Sequence, residues 1–209
     1  MNVIEALNKR YATKKFNPDK KLSAETVDQI IEAGRLTATS YGAQLLKIVK
    51  VENTEFREKL VNCSFGQRQV ADASDLLIIC RERDLDLIHF EKYVENVSKT
   101  RGVALEKLDG FKNMMVNSIL TKSEEEQVLW MEKQCYIVLG NLLNTCAILG
   151  VDSCPMEGFI PEEYDRILGL DSMNLASVLV LPIGVRADDD PNFSNAKVRR
   201  STEDFLVKI

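Results

Sequence analysis

The chain is read most directly from residues 150–158, Gly150-Val151-Asp152-Ser153-Cys154-Pro155-Met156-Glu157-Gly158. This stretch follows a long helix-like segment, so the pattern predicts a helix, a short strand and then a Pro-x-Glu-Gly turn at the rim of a sheet. Free backbone N–H groups at such a turn are able to bind an anion or an electron-rich ring edge. The same spacing of Pro and Gly also fits a plain surface turn. The choice between a ligand-binding turn and a plain surface turn depends on motifs elsewhere in the chain.

Glu124–Leu149, just before this stretch, has the strongest helical pattern in the chain. It is apolar on most sides, which is typical of a central buried helix or of a subunit interface. Two continuous apolar runs, Asp75–Cys80 and Leu175–Val185, predict buried strands. The other predicted elements are a helix over residues 2–10 with an apolar stripe at Val3, Ile4 and Leu7, a helix capped by Ser23, a strand over Leu45–Val51 and a helix over Thr54–Val61.

These elements predict an α+β fold, with 1–209 as one domain. Too few strands stand between helices for a doubly wound sheet, and the sequence contains neither G-x-G-x-x-G nor G-x-x-x-x-G-K-[ST]. Residues 84–122 have a weaker and more charged pattern, interrupted by Gly102 and Gly110, and predict an excursion from the core. The segment Asp188–Pro191 predicts the start of a polar tail with little structure of its own.

The formal net charge of -5 argues against a general nucleic-acid binder, which would carry a basic face. Charge is nevertheless concentrated locally, at both ends of the chain. Two basic clusters on an acidic protein suit a small anionic ligand. The clusters are Lys9, Arg10, Lys14, Lys15, Lys20 and Lys21 near the start, and Lys197, Arg199 and Arg200 near the end.

Five cysteines form no C-x-x-C pair and mostly lie in apolar surroundings, as Cys80 does. This distribution predicts buried free thiols in a reducing cytoplasm. The first residues show no apolar signal region, and no stretch of about 20 apolar residues appears. We therefore expect a cytoplasmic protein that does not act at a membrane.

Side chains suited to acid–base chemistry are scarce. His89 is the only histidine, so neither a typical zinc site nor a Ser-His-Asp arrangement is indicated. Glu124, Glu125 and Glu126 fit the first turn of a helix, where the helix dipole favours acidic residues. Catalysis, if present, would then depend on a bound cofactor.

Five motifs in order resemble those of the nitroreductase family of flavin enzymes, from residue 9 to residue 200. The closest likeness is to the oxygen-insensitive branch, with small bacterial nitroreductases and dihydropteridine reductase-like enzymes. The motifs are Arg10-Tyr11-Ala12-Thr13-Lys14-Lys15-Phe16, Thr39-Ser40-Tyr41-Gly42-Ala43-Gln44, Gly66-Gln67-Arg68-Gln69-Val70, Pro155-Met156-Glu157-Gly158-Phe159 and Lys197-Val198-Arg199.

The resemblance implies the nitroreductase-like fold, a mostly antiparallel sheet flanked by helices with a long buried helix. It also implies a homodimer with FMN at the subunit interface and a C-terminal tail that reaches the partner. Arg10, Lys197 and Arg199 would hold the FMN phosphate. Lys14 and Gln69 would lie at the pyrimidine edge of the flavin. The turn would contact the ring, with the Glu157 N–H facing N5 and the Gly158 N–H facing O4. The other implied cofactor-binding residues are Tyr11, Ala12, Gln67, Pro155 and Met156 from the same chain, and Thr39, Ser40 and Gly42 from the partner.

Some positions depart from the family pattern. Ala12 stands where a hydroxyl residue is usual, Gly42 and Gly66 stand where asparagine is usual, and Gln69 stands where some relatives carry lysine.

The implied activity is an NAD(P)H-dependent FMN oxidoreductase that works by ping-pong hydride transfer through flavin N5, with no metal and no catalytic side chain. Nitroaromatics, quinones or similar flat conjugated small molecules would be the acceptors. Phe111, Met114 and Met115 are candidates either to line the acceptor slot or to pack in the core. Two alternatives stay open: the same fold with a dedicated acceptor (an enoate, a free flavin or a halogenated phenol), or a non-catalytic FMN-binding protein.

Overall fold

The fold is seen in a computed structural model that describes residues 2–209. The strands are β1 (Leu46–Lys50), β2 (Asp75–Glu82), β3 (Asp152–Ser153) and β4 (Leu175–Gly184). The helices are α1 (Val3–Lys9), α2 (Ala24–Arg35), α3 (Thr54–Cys63), α4 (Gln69–Asp72), α5 (Leu87–Arg101), α6 (Asp109–Ile119), α7 (Glu124–Leu149), α8 (Pro161–Leu168) and α9 (Thr202–Phe205).

The strands form one antiparallel sheet in the order β1-β2-β4-β3. The two long apolar strands are neighbours at its centre, with Leu77 opposite Leu181 and a bulge between Ile79 and Cys80. Both faces of β2 are covered, which explains why its sequence is continuously apolar instead of alternating. The predicted α+β class and antiparallel sheet are therefore confirmed.

Helices cover the two faces of the sheet. Because side chains alternate along a strand, Leu76 and Ile78 pack with residues of α3 and α8, whereas Leu77 and Ile79 pack with α2 and α7. Each fully buried aliphatic side chain contributes on the order of 1.5–3 kcal/mol to folding. A third cluster, around Phe90, joins α5, α6 and α7 away from the sheet.

The predicted bounds of α7 match the structure, because its ends are well capped. Ser123 and Glu126 form a capping box at the start, and Gly150 ends the helix in the left-handed conformation. Cys135, Leu142 and other side chains on one side of α7 are buried. Its opposite side stays exposed in the protomer and carries apolar side chains: Leu129, Tyr136, Ile137, Ile148 and Leu149.

Several elements differ from the sequence-based expectations. In α1 the predicted apolar stripe is wrong, because Val3 and Ile4 are exposed and Ala6 is the buried residue. Gly102 ends α5 as expected, but Gly110 lies in the first turn of α6 and interrupts nothing. The helix α8 was not predicted, because it is short and its N-cap is Ile160, which has no capping side chain; Pro161 at its first position was an overlooked start signal.

Within residues 2–209, no helix is both long and apolar enough to span a membrane. The five cysteines are all buried and free, as predicted.

Candidate cofactor-binding site

The segment 10–17 runs along the β3 edge of the sheet. Ala12 pairs with Ser153, and Phe16 pairs with Arg186 just beyond β4. Gly184 allows this close approach, because a Cβ there would lie 3.1 Å from the Phe16 ring. It would also lie 2.8 Å from the backbone nitrogen of Ser74. The first predicted motif is thereby held next to the strand that leads into the Pro-x-Glu-Gly turn.

Cations from both ends of the chain meet beside this segment. The Lys197 ammonium donates a hydrogen bond to the backbone carbonyl of Arg10. Burial and the nearby charge of Arg199 lower the pKa of Arg10. Burial and the charges of Arg10 and Arg199 likewise lower the pKa of Lys197. Crowded cations of this kind repel one another, so the arrangement favours an anion between them.

These cations line an open cavity of about 440 Å³. Three polar side-chain atoms near it are buried without a hydrogen-bond partner in residues 2–209: Arg10 Nε, Tyr11 Oη and Thr13 Oγ1. Burial, followed by the charge of Asp190, raises the pKa of Tyr11 to about 12. Unpaired buried donors are costly, and a bound ligand with several oxygens would pair them.

The Pro155–Gly158 turn lies next to the same segment. Met156 exchanges backbone hydrogen bonds with Val180, which fixes the turn to the sheet. Beyond it, the N–H groups of Glu157 and Gly158 donate to no acceptor in the described part of the chain. Ala12 pairs with Ser153, so the segment that carries Arg10 and Lys14 runs beside the strand that leads into the turn. Burial raises the pKa of Cys154 in that strand's extension, and the charges of Lys14 and Arg10 oppose the rise. The predicted free N–H groups are therefore present.

The third motif supports the turn from the other side. Gln67 Nε2 donates to the Gly158 carbonyl at 2.9 Å. Gln69 is buried in α4. This region is held by the buried Arg57, whose guanidinium donates to the carbonyls of Val70, Ala73 and Ser74. Tyr136 of α7 donates to the Glu157 carboxylate at 2.7 Å.

The second motif, in the loop 39–44, makes different contacts. Ser40 N donates to Gln134 Oε1 of α7 at 2.8 Å, and Tyr93 Oη of α5 donates to the Tyr41 carbonyl at 2.7 Å. Tyr41, Gly42 and Gln44 all have positive φ angles, of 57°, 76° and 50°. For tyrosine and glutamine this conformation is strained, and such strain clusters at functional sites.

The structure therefore divides the predicted site residues into two groups. The larger group surrounds the cavity and the turn: Arg10, Tyr11, Ala12, Lys14, Gln67, Pro155, Met156, Glu157, Gly158, Lys197 and Arg199. Gln69 is buried in α4, and in residues 2–209 its side chain forms no hydrogen bond to this group. In the described residues, Thr39, Ser40 and Gly42 make no hydrogen bond to this group. Instead, Ser40 bonds to Gln134 of α7, Gly42 lies against Tyr93 of α5, and Thr39 accepts hydrogen bonds from within the loop.

The larger group fits FMN on the chemistry of its donors. A cluster of three cations with the unpaired Arg10 Nε suits a phosphate, and two free adjacent backbone N–H groups suit the acceptors along one flavin edge. Ala12, where a hydroxyl is usual, packs against the apolar core. Thr13 instead contributes the nearby unpaired hydroxyl.

Sequence reasoning missed three residues that touch the site and misplaced another. Asp190, Tyr93 and Tyr136 hydrogen-bond to the motifs, but none stands in a motif or has a local signal. Asp188–Pro191 was expected to begin a polar tail, yet Asp190 is buried. Met115 is fully buried in the cluster around Phe90, so of its two candidate roles it has core packing and does not line the acceptor slot.

Comparisons with known proteins bear on the family and the fold. The model of the Nitroreductase family matches residues 7–185. A Staphylococcus haemolyticus protein with a provisional NAD(P)H nitroreductase name is 33% identical over 215 residues, which cover 99% of this chain and 97% of that protein.

Solved structures show the same fold. A structure from Staphylococcus epidermidis, provisionally described as an NAD(P)H:FMN oxidoreductase, superposes with a TM-score of 0.80 at 25% identity and covers 100% of this chain and 96% of its own. A structure from Exiguobacterium sibiricum, provisionally described as a nitroreductase in complex with FMN, has a TM-score of 0.83 at 17% identity and covers 100% of this chain and 98% of its own.

Proposed function

The chain belongs to the nitroreductase family, and on that premise we propose that it is an FMN-dependent oxidoreductase. Its electron donor is NADH or NADPH, and its acceptors are nitroaromatics, quinones or similar flat conjugated molecules. The names of its relatives support both the donor and the flavin. We propose that residues 1–209 act as one domain, and the family match over residues 7–185 supports this.

One observation carries the proposal: the convergence of Arg10, Lys197 and Arg199 around a cavity that holds unpaired donors. These three side chains would hold the FMN phosphate. These three cations repel one another in the empty site, and a bound dianion relieves that repulsion. The relief contributes to the free energy of FMN binding.

The remaining residues of the larger group orient the flavin ring. The free N–H groups of Glu157 and Gly158 would donate to N5 and O4, and Lys14 and Gln69 would contact the pyrimidine edge. Bound FMN supplies the two-electron chemistry, because no side chain of the turn carries a group suited to hydride transfer. The fixed N–H groups need no rearrangement when charge develops on the ring.

A homodimer completes the site. The exposed side of α7 carries Leu129, Tyr136, Ile137 and Ile148, an apolar face typical of an interface. Gly140 lies on the same exposed side with no atom near its Cβ position, which leaves room for close helix packing. We propose that the partner brings its Thr39–Gly42 loop to the flavin, and that the exposed C-terminal tail reaches the partner.

The homodimer is tested with Ile137→Asp, which places a charge in the proposed interface. Light scattering is expected to show a dimer for the unchanged protein and a monomer for the variant. Met173→Asp serves as the control, because Met173 is equally exposed but lies outside α7. A monomeric unchanged protein would refute the shared site.

The excursion 84–122 would form one wall of the acceptor slot. Phe111 is half-buried beside Tyr93, and Met114 is exposed, so both remain available to contact a flat acceptor. The five free buried thiols support a cytoplasmic location, where cysteines stay reduced.

The activity is tested by reconstituting the protein with FMN and adding NADH or NADPH without oxygen. Bleaching of the flavin absorbance is expected, followed by recovery with nitrofurazone or menadione. If recovery requires an enoate, free FMN or a halogenated phenol, the dedicated-acceptor alternative holds. A yellow protein that neither donor bleaches would instead be a non-catalytic FMN-binding protein, and failure to take up FMN would refute the proposal.

A further inference from the structure

Asp190 is a buried carboxylate at the junction of the two termini. Its side chain is only 6% exposed. Its Oδ2 atom accepts hydrogen bonds from the backbone N–H groups of both Lys14 and Lys15, each at 2.7 Å. Its Oδ1 atom accepts from the backbone N–H of Asn192 at 2.9 Å. Three strong contacts are thus made to main chain that surrounds the candidate FMN site.

The charge of Asp190 is stabilised by backbone dipoles. In residues 2–209 no lysine, arginine or histidine side chain forms an ion pair with it. Burial opposes its ionisation, but the N–H groups of Lys15, Asn192 and Lys14 outweigh burial and hold its pKa below the ordinary value. A buried anion held in this way fixes the donors, because any shift of the Lys14 or Lys15 peptide would leave the charge unpaired.

The neighbouring aspartates lack this role. Asp188 and Asp189 are exposed, and Asp189 pairs at the surface with the Lys15 side chain. Tyr11 and Asp152 also face Asp190 closely enough to interact with its charge. Of the three consecutive aspartates, only Asp190 is buried against the segment that carries Lys14.

We propose that Asp190 is a positioning residue for the flavin ring, because it fixes the backbone from which Lys14 reaches the pyrimidine edge. The proposal rests on the proposed function, since it needs a flavin in the site. The proposed role concerns the flavin ring and not the phosphate. It therefore predicts that a change at Asp190 weakens the binding of a flavin with or without a phosphate.

The test compares FMN with riboflavin, which has the same ring and no phosphate. Both are titrated into the apoprotein by quenching of flavin fluorescence. Asp190→Asn keeps the shape and removes the charge, and it is expected to weaken both ligands by about tenfold, because charged hydrogen bonds are worth more than neutral ones. Asp189→Asn is the matched control and is expected to change either affinity by less than about twofold.

Two further measurements separate positioning from a structural role. The midpoint potential of bound FMN is expected to fall in Asp190→Asn, because a displaced Lys14 stabilises the reduced ring less. In a Lys14→Met background, Asp190→Asn is expected to have no further effect on riboflavin affinity. Additive effects of the two substitutions would overturn the proposal.

Other outcomes are equally decisive. Weaker FMN binding with unchanged riboflavin binding would show that Asp190 serves only the phosphate, and the proposal would be wrong. A lower melting temperature with both affinities and the potential unchanged would also overturn it. Should Asp190→Asn fail to fold, Asp190→Glu keeps the charge but moves it, and the same fall in potential is expected. If the unchanged protein binds neither ligand, it is the proposed function that fails.

Discussion

The segment 10–17 and the loop 39–44 both carry predicted flavin-binding residues, but they are held in different ways. The first is paired with β3 on one side and with residues 185–190 on the other, largely by backbone hydrogen bonds and the buried Asp190. The loop depends on side chains of Gln134 and Tyr93, and it contains strained φ angles.

This difference indicates that the two regions have different roles in FMN binding. The segment 10–17 is preorganised, so its cations are in place before FMN binds and less binding free energy is lost to ordering. The loop has few backbone partners and stored strain, so it opens at a lower free energy. We expect the affinity for FMN to depend mainly on the first region, and the stability of the loop to depend on single side chains of α5 and α7.

The largest expected effect is on the cation cluster. Arg199→Glu replaces a phosphate ligand by a repelling charge, and we expect FMN affinity to fall by about a hundredfold while riboflavin affinity stays unchanged. Fluorescence titration with both ligands measures this. Lys20→Glu makes the same change in net charge at an exposed site and serves as the control. Equal loss in both variants would show a general charge effect instead of a phosphate site.

The next effect concerns the loop. Gln134 is buried and accepts from Ser40 N, so Gln134→Leu leaves that N–H without its partner. We expect the free energy of unfolding to fall by about 2 kcal/mol, measured with urea. Asn62→Leu, at an exposed position of α3 and away from the proposed interface, is expected to change it by less than about 0.5 kcal/mol. Equal values for the two variants would mean that Gln134 does not hold the loop.

A smaller effect is expected at Gly42. A Cβ there would lie 2.6 Å from Tyr93 Oη, and the φ angle of 76° is unfavourable for other residues. We expect Gly42→Ala to destabilise the protein by about 1–2 kcal/mol. Tyr93→Phe leaves the ring carbon at 3.4 Å as the nearest atom, so the same substitution should cost less in that background. A double-mutant cycle in urea measures the coupling, and additive values would contradict the contact.

The smallest effect is expected at Tyr11, whose buried hydroxyl lies near Asp190 but has no hydrogen-bond partner of good geometry in residues 2–209. Tyr11→Phe should leave the stability of the apoprotein unchanged or raise it by up to about 1 kcal/mol at neutral pH. Burial and the charge of Asp190 raise the pKa of Tyr11 to about 12, above its usual value of about 10. The neutral phenol therefore favours the fold below pH ~10, and stability falls as the pH rises from about 10 towards 12.

Unfolding curves across this alkaline range check the sign. The free energy of unfolding of Tyr11→Phe should fall less steeply with rising pH than that of the unchanged protein. The same slope in both would mean that Tyr11 titrates as an exposed tyrosine does. Tyr93→Phe makes a useful contrast, because Tyr93 Oη has a partner in the Tyr41 carbonyl and its loss should be destabilising.

Sequence reasoning succeeded where the signal is local. The Ser23 cap predicted the start of α2, and the apolar pattern over Glu124–Leu149, with acidic residues in its first turn, predicted the bounds of α7. The apolar runs of β2 and β4 predicted the centre of the sheet. It failed for α1, whose apolar residues face outward in the protomer, because periodicity does not say which side of a short helix the core will cover.

The candidate site divides along the same line. Residue types and their order along the chain determined the family, the motifs and the two basic clusters, because each depends on local chemistry. Only the tertiary structure decided that Arg10, Lys197 and Arg199 share one cavity, and that Asp190 lies buried while its neighbours are exposed. Such placements depend on contacts between residues far apart in the chain. A local sequence pattern therefore does not predict which charged side chain those contacts bury.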